Sequence, residues 1–126
     1  MSEIREDLKY TTDHEWTRIE GGFAFVGITD HAQSELGDIV FVSLPQVGDL
    51  AKVGESIGTI EAVKTVAEIY APISGEIVEV NGALADAASA MNSDPYGDGW
   101  IAKIKIANTA ELSALLDAKA YAAHVG

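Results

Sequence analysis

Ile60-Glu61-Ala62-Val63-Lys64-Thr65-Val66 is the stretch of the chain that decides its fold. Residues 56–62 before the lysine and 65–70 after it are rich in β-forming types, so they read as two strands that meet at Lys64. Lys64 then occupies a hairpin tip, the part of a hairpin most open to another protein. Four methylenes separate its amine from the backbone, which suits an ammonium that an enzyme acylates and that afterwards swings. A lone surface lysine carries no such meaning; the frame around this one supplies it. Val47-Gly48-Asp49 lies ahead, and Ala71-Pro72-Ile73-Ser74-Gly75-Glu76-Ile77-Val78 follows. Each joins a turn-forming glycine to an apolar stretch, as two hairpin-linked halves of one small barrel require.

Further strands are expected at 22–28, 39–44, 76–80 and 100–106, where apolar residues alternate or run together between glycine-containing turns. Short strands at this spacing predict a sandwich or barrel. Asp30-His31-Ala32-Gln33 followed by Gly37 reads as a short capped helix with a glycine stop, covering one end of the barrel. Near the C-terminus the period changes. Leu112, Leu115, Leu116 and Ala123 follow helical spacing, and Asn108 with Glu111 makes a capping pair, so one amphipathic helix is predicted to pack on the barrel. Between 81 and 99 helical turns compete with loop, and no element is assigned there.

Composition narrows the function. A chain of 126 residues fits one domain, residues 1–126, with room for a real core. The absence of cysteine removes disulfides and thiolate metal sites, leaving hydrophobic packing to hold the fold. A net charge of −12 opposes nucleic acids and anionic membranes, whose phosphates repel it. The acidic N-terminal residues lack a secretion or transit pattern, and no run approaches a membrane span. A soluble, bacterial cytoplasmic protein is expected. His14, His31 and His124 are far apart and show no metal-ligand spacing, and neither a GxGxxG pattern nor a Walker lysine is present. Catalysis by this chain alone is not expected.

Six blocks in order then carry a resemblance. They are His14-Glu15-Trp16, residues 26–33, residues 36–42, Glu61-Ala62-Val63-Lys64, Tyr70-Ala71-Pro72-Ile73-Ser74-Gly75-Glu76 and Asp94-Pro95-Tyr96-Gly97-Asp98-Gly99-Trp100. Together they span nearly the whole chain and resemble the biotinyl/lipoyl carrier domains, and within them the H proteins of the glycine cleavage system. The resemblance implies a mainly β, flattened barrel-sandwich hybrid with a short helix and a C-terminal helix. It also implies lipoate joined covalently to Lys64, supplying the dithiol that a cysteine-free chain lacks.

By the same resemblance the protein is a non-catalytic shuttle. It takes the aminomethyl group of glycine from a pyridoxal-phosphate glycine decarboxylase (P protein) to a folate-dependent aminomethyltransferase (T protein). A dihydrolipoyl dehydrogenase (L protein) then reoxidises it. Tethering raises the arm's effective concentration at each docked site. Lipoylating enzymes are further partners, and a monomer is expected. The family pattern implies Glu61, Gly75 and Gly48 as determinants of lipoylation, Gly48 through the fold that presents the turn. It implies Glu15 and Glu68 as carboxylates that hold the protonated amine of the loaded arm, with Asp13 at a third position where some relatives have Ser. Ala62 and Thr65 depart from the residues common there. An H-like protein that relays lipoate to other enzymes is the alternative; a biotin carrier is disfavoured by Val63 and Thr65, which stand where methionines are usual.

Overall fold

The computed structural model describes residues 3–125; residues 1, 2 and 126 of the expected domain span lie outside the described residues. The chain runs β1 (Lys9–Tyr10), β2 (Glu15–Glu20), β3 (Phe23–Ile28), α1 (Asp30–Leu36), β4 (Ile39–Ser43), β5 (Leu50–Ala51), β6 (Ser56–Ala62), β7 (Val66–Tyr70), β8 (Gly75–Val80), α2 (Ala90–Ser93), β9 (Ala102–Ile106) and α3 (Ala118–Val125). Stretches of 3₁₀ helix occupy Gly82–Ala85 and Thr109–Ala114. The strands form two antiparallel sheets, a six-stranded one in the order β1-β2-β3-β9-β8-β5 and a three-stranded one in the order β4-β6-β7. This is the mainly β, flattened barrel-sandwich that the alternating pattern and the resemblance predict.

Pleating explains where the core lies, because successive side chains leave a strand on opposite faces. Ala24, Val26 and Ile28 of β3 point inward with Ile77 of β8 and Ala102 and Ile104 of β9. Ile60 of β6 and Ile69 of β7 meet them from the other sheet. A second apolar cluster, Leu8, Tyr10, Trp16, Tyr96 and Tyr121, packs Leu8 and Tyr10 against β2, α3 and the 94–100 loop. Trp16 Nε1 donates to the Pro95 carbonyl at 2.9 Å, so even this buried polar atom is matched.

The expected capped helix is α1: the Thr29 hydroxyl accepts from the Ala32 amide, and Gly37 ends the helix at φ 76°. The single C-terminal helix is corrected. Asn108 does cap, accepting from the Ala110 amide, but the segment it starts is a 3₁₀ stretch that stops at Ala114. Glu111 does not complete a capping box; its carboxylate accepts from the Ser74 amide at 2.7 Å and the Ser74 hydroxyl at 2.9 Å. Leu116 instead exchanges backbone hydrogen bonds with Tyr10, and only after that bridge does α3 begin. Backbone pairing with β1 outweighs helical periodicity there. Tyr121, not Ala123, is the buried residue of α3. The short strands β1 and β5, and the longer β2, are additions to the strands that the sequence pattern predicts.

Candidate functional site

The lysine does sit at a hairpin tip. β6 and β7 pair antiparallel as far as Glu61 and Val66, and the Ala62 amide donates to the Thr65 carbonyl at 2.8 Å to close the turn. Lys64 is exposed, and so are its neighbours Val63 and Val66, at 74% and 62%. The tip is tethered: the Val63 amide donates to the Asp38 carbonyl at 3.0 Å, and Ile39 of β4 pairs with Ala62. Phe41, Glu61 and Val66 follow one another across the three strands in register, so an apolar, singly acidic face flanks the tip. The Lys64 side chain lies over Gly37, where a Cβ would come within 3.4 Å of its Cε.

Beside Gly37 opens a cleft of about 180 Å³ between the start of β2, α1 and β7. Ile28, Ala32, Leu36, Ile60 and Ala67 give it apolar walls. Into it face Asp13, Glu15, Glu35 and Glu68, so the three carboxylates singled out in the sequence, Glu15, Glu68 and Asp13, line one cleft. Their environments differ sharply. Glu15 is 2% exposed; its Oε1 accepts from the Thr11 hydroxyl at 2.8 Å and its Oε2 from the Tyr70 amide at 3.3 Å. Burial pushes its carboxyl up to about 7 despite those two donors, because desolvation penalises the charged form. Glu68 is exposed and its Oε2 accepts from the Ser56 hydroxyl at 2.7 Å, while Asp13 is exposed at the rim. Behind Glu15 lies another cavity of about 280 Å³, lined in part by Thr11, Pro72 and Glu111.

The three histidines, distant in sequence, converge at the cleft's edge. The His14 ring lies 4.7 Å from that of His31 and 5.5 Å from that of His124. His14 adopts φ 67°, a conformation uncommon for a side-chain-bearing residue. Its Nδ1 meets the Tyr121 hydroxyl at 2.8 Å, which in turn meets the Thr29 hydroxyl at 2.7 Å. Burial first, then the neighbouring His31 and His124, hold its pKa below the ordinary imidazole value. Among the described residues no group of three or more His, Cys, Asp or Glu is placed to hold a metal ion.

The glycines differ in their reasons. Gly48 has φ 98° and donates its amide to the Ile77 carbonyl at 2.8 Å, a turn that disfavours a side chain. Gly75 is buried on β8, and a Cβ there would run into the Lys105 carbonyl and approach Ile104 Cγ2 at 2.8 Å. Glu61 is exposed on the outer face of β6.

Chemically the arrangement offers an accessible amine and, one glycine away, an apolar cleft with excess negative charge that suits an organic cation. Sequence reasoning missed the cleft's wall on α1, Thr11 and Tyr70 as the partners of Glu15, and the histidine cluster. The wall of α1 had a signal, the spacing of Ala32, Glu35 and Leu36 on one helical face; the others are long-range contacts without one.

A family model described as "Glycine cleavage H-protein" matches residues 8–126. The glycine cleavage system H protein of Chlorobium limicola is 58% identical over 125 residues, covering 98% of each chain. That of Bacteroides fragilis is 52% identical over 120 residues, covering 95% of each. The crystal structure of a glycine cleavage system H protein from Mycobacterium marinum superposes with a TM-score of 0.90 at 45% identity, covering 98% of this chain and 99% of that one.

Proposed function

The chain belongs to the glycine cleavage H-protein family, a family of lipoyl carriers, and from that premise we propose that Lys64 bears the lipoyl group and that the acidic cleft shelters its cargo. The residues present fit such a group: an exposed amine at a tethered tip, a stem lying toward the cleft, and buried Glu15 with no cationic partner among the described salt bridges. When bound, lipoate supplies a dithiol that takes up the aminomethyl group of glycine and gives it back. Lys64 anchors the arm through an amide, which makes the protein a substrate of its partners rather than a catalyst.

Glu15 carries this reading. Its buried carboxyl, neutral up to about pH 7 in an empty cleft, ionises when a primary ammonium docks against it, forming a charge-assisted hydrogen bond. Glu68 and Asp13, both exposed, add a weaker, solvent-screened attraction at the mouth. The apolar walls exclude water from the cargo, which otherwise hydrolyses to formaldehyde and ammonium. Glu61, on the face beside the tip, is read by the lipoylating enzyme, whereas Gly48 and Gly75 act by holding the fold in shape.

In this reading the carrier, a monomer, serves in turn the glycine decarboxylase, the aminomethyltransferase and the dihydrolipoyl dehydrogenase of bacterial cytoplasm. The relatives named above are bacterial, and no described helix is long and apolar enough to cross a membrane. Loading the lipoylated protein and following formaldehyde release without folate tests it. Release as fast as from free lipoamide carrying the same cargo would refute the sheltering role, and lipoylation away from Lys64 would refute the attachment.

A further inference from the structure

We infer that Gly37 is a positioning residue, the seat across which the arm passes from Lys64 into the cleft, and that Asn92 holds that seat in place. The inference rests on the reading of Lys64 and the cleft given above. A Cβ at Gly37 would point at the lysine stem, 3.4 Å from Cε and 4.0 Å from Nζ. The two residues before it, Glu35 and Leu36, line the cleft, and the carbonyl of the residue after it, Asp38, receives the Val63 amide. Lysine tip, glycine seat and cleft wall are therefore contiguous.

Helix capping alone accounts for a glycine here, since φ 76° and ψ −153° lie where side chains are strained. It does not account for Asn92. From α2, distant in sequence, its Nδ2 donates to the Gly37 carbonyl at 2.8 Å and to Gln33 Oε1 at 3.1 Å, while its Oδ1 accepts from the Ile39 amide at 2.9 Å. One amide side chain thus fixes the backbone on both sides of Asp38, the residue that tethers the tip. Both its donors and its acceptor are used at a part-buried position, so the seat and the pivot of the arm form one rigid piece.

Size separates the seat from the cap. An alanine methyl at 37 meets Cε at ordinary contact, but a longer side chain takes the space of the stem. Gly37→Ala and Gly37→Leu share the backbone strain and differ in what lies on the track. The first measurement uses unmodified, carbon-labelled full-length protein, in which a nuclear Overhauser cross-peak between Lys64 Hε and Gly37 Hα is expected. The second loads the lipoylated wild type and both variants with the aminomethyl group and follows formaldehyde release without folate. Lifetimes should fall from Gly to Ala to Leu, with Leu about tenfold below Ala. Absence of the cross-peak, or a Leu variant that lasts as long as Ala, overturns the seat while leaving the cleft reading intact. A wild type no longer-lived than free loaded lipoamide removes the cleft reading and this inference with it. Should neither substituted chain fold, the cross-peak in the unsubstituted protein decides.

Discussion

Glu15 of β2 accepts a hydrogen bond from the backbone amide of Tyr70 of β7, so one carboxyl spans the gap between the two sheets where the cleft opens. The bond puts a titrating group at a structural junction, and pH should therefore act on both stability and cargo.

Stability comes first. Burial raises the Glu15 carboxyl from the ordinary value of 4.5 to about 7 in the folded protein. Below 4.5 both folded and unfolded states hold the proton; between 4.5 and about 7 the unfolded chain binds fewer protons, so stability falls as pH rises. The loss is complete above the folded value and amounts to about 3 kcal/mol. Glu15→Gln should match wild type at acid pH and exceed it by up to that amount near pH 8, which denaturant unfolding at the two pH values measures. A difference that does not change with pH would contradict the buried, neutral carboxyl.

Cargo retention should move the opposite way. Glu15→Gln removes the ionisable partner of the ammonium and should shorten the lifetime of the loaded protein by roughly tenfold or more, the effect of about 1.5–3 kcal/mol. Glu68→Gln should shorten it less, because Glu68 is exposed and already engaged by Ser56, and Asp13→Asn least. Formaldehyde release without folate gives the ranking, and intact mass should show all three variants still lipoylated.

Lys64→Arg should abolish the gain of a lipoyl mass and the support of glycine cleavage. Arg keeps charge and length but forms no lipoyl amide. At this exposed tip the unfolding free energy should change by no more than about 0.5 kcal/mol. A lipoyl adduct that persists in the variant would move the attachment elsewhere.

Gly75→Ala should be far more damaging than Gly48→Ala. The methyl at 75 meets the Lys105 backbone across a sheet pair, whereas that at 48 finds open space and costs only its positive φ, about 1 kcal/mol. Thermal melting of the two variants should separate them clearly, with the 75 variant lowered by several times as much.

Tyr121→Phe should cost about 1–3 kcal/mol, because it leaves His14 Nδ1 and the buried Thr29 hydroxyl short of a partner. Denaturant unfolding measures this, and an unchanged midpoint would mean that the hydroxyl bridge contributes nothing.

What could be read from the sequence was local. Residues 56–70 announce their hairpin because β-forming types run up to a lysine from both sides, and α1 announces itself by Asp30 and Gly37 within one short window, although its cap, Thr29, lies one residue ahead of that reading. Glu111 shows the limit: its spacing from Asn108 imitates a capping box, yet its carboxylate spends both oxygens on Ser74, a contact across the fold that no local pattern carries. The same holds for Glu15. Its candidacy rests on the family block His14-Glu15-Trp16, but its shift toward neutral pH comes from burial between sheets, which depends on residues from Thr11 to Tyr70.

The Val63 to Asp38 hydrogen bond has a kinematic consequence. With the tip tied to the body of the protein, the loop itself is not the joint; rotation begins at the lysine's own side-chain torsions. On the proposed reading, in which Lys64 bears the arm, every catalyst that receives it would meet the same pivot, and the reach of one side chain would set a common gauge for the depth of their channels.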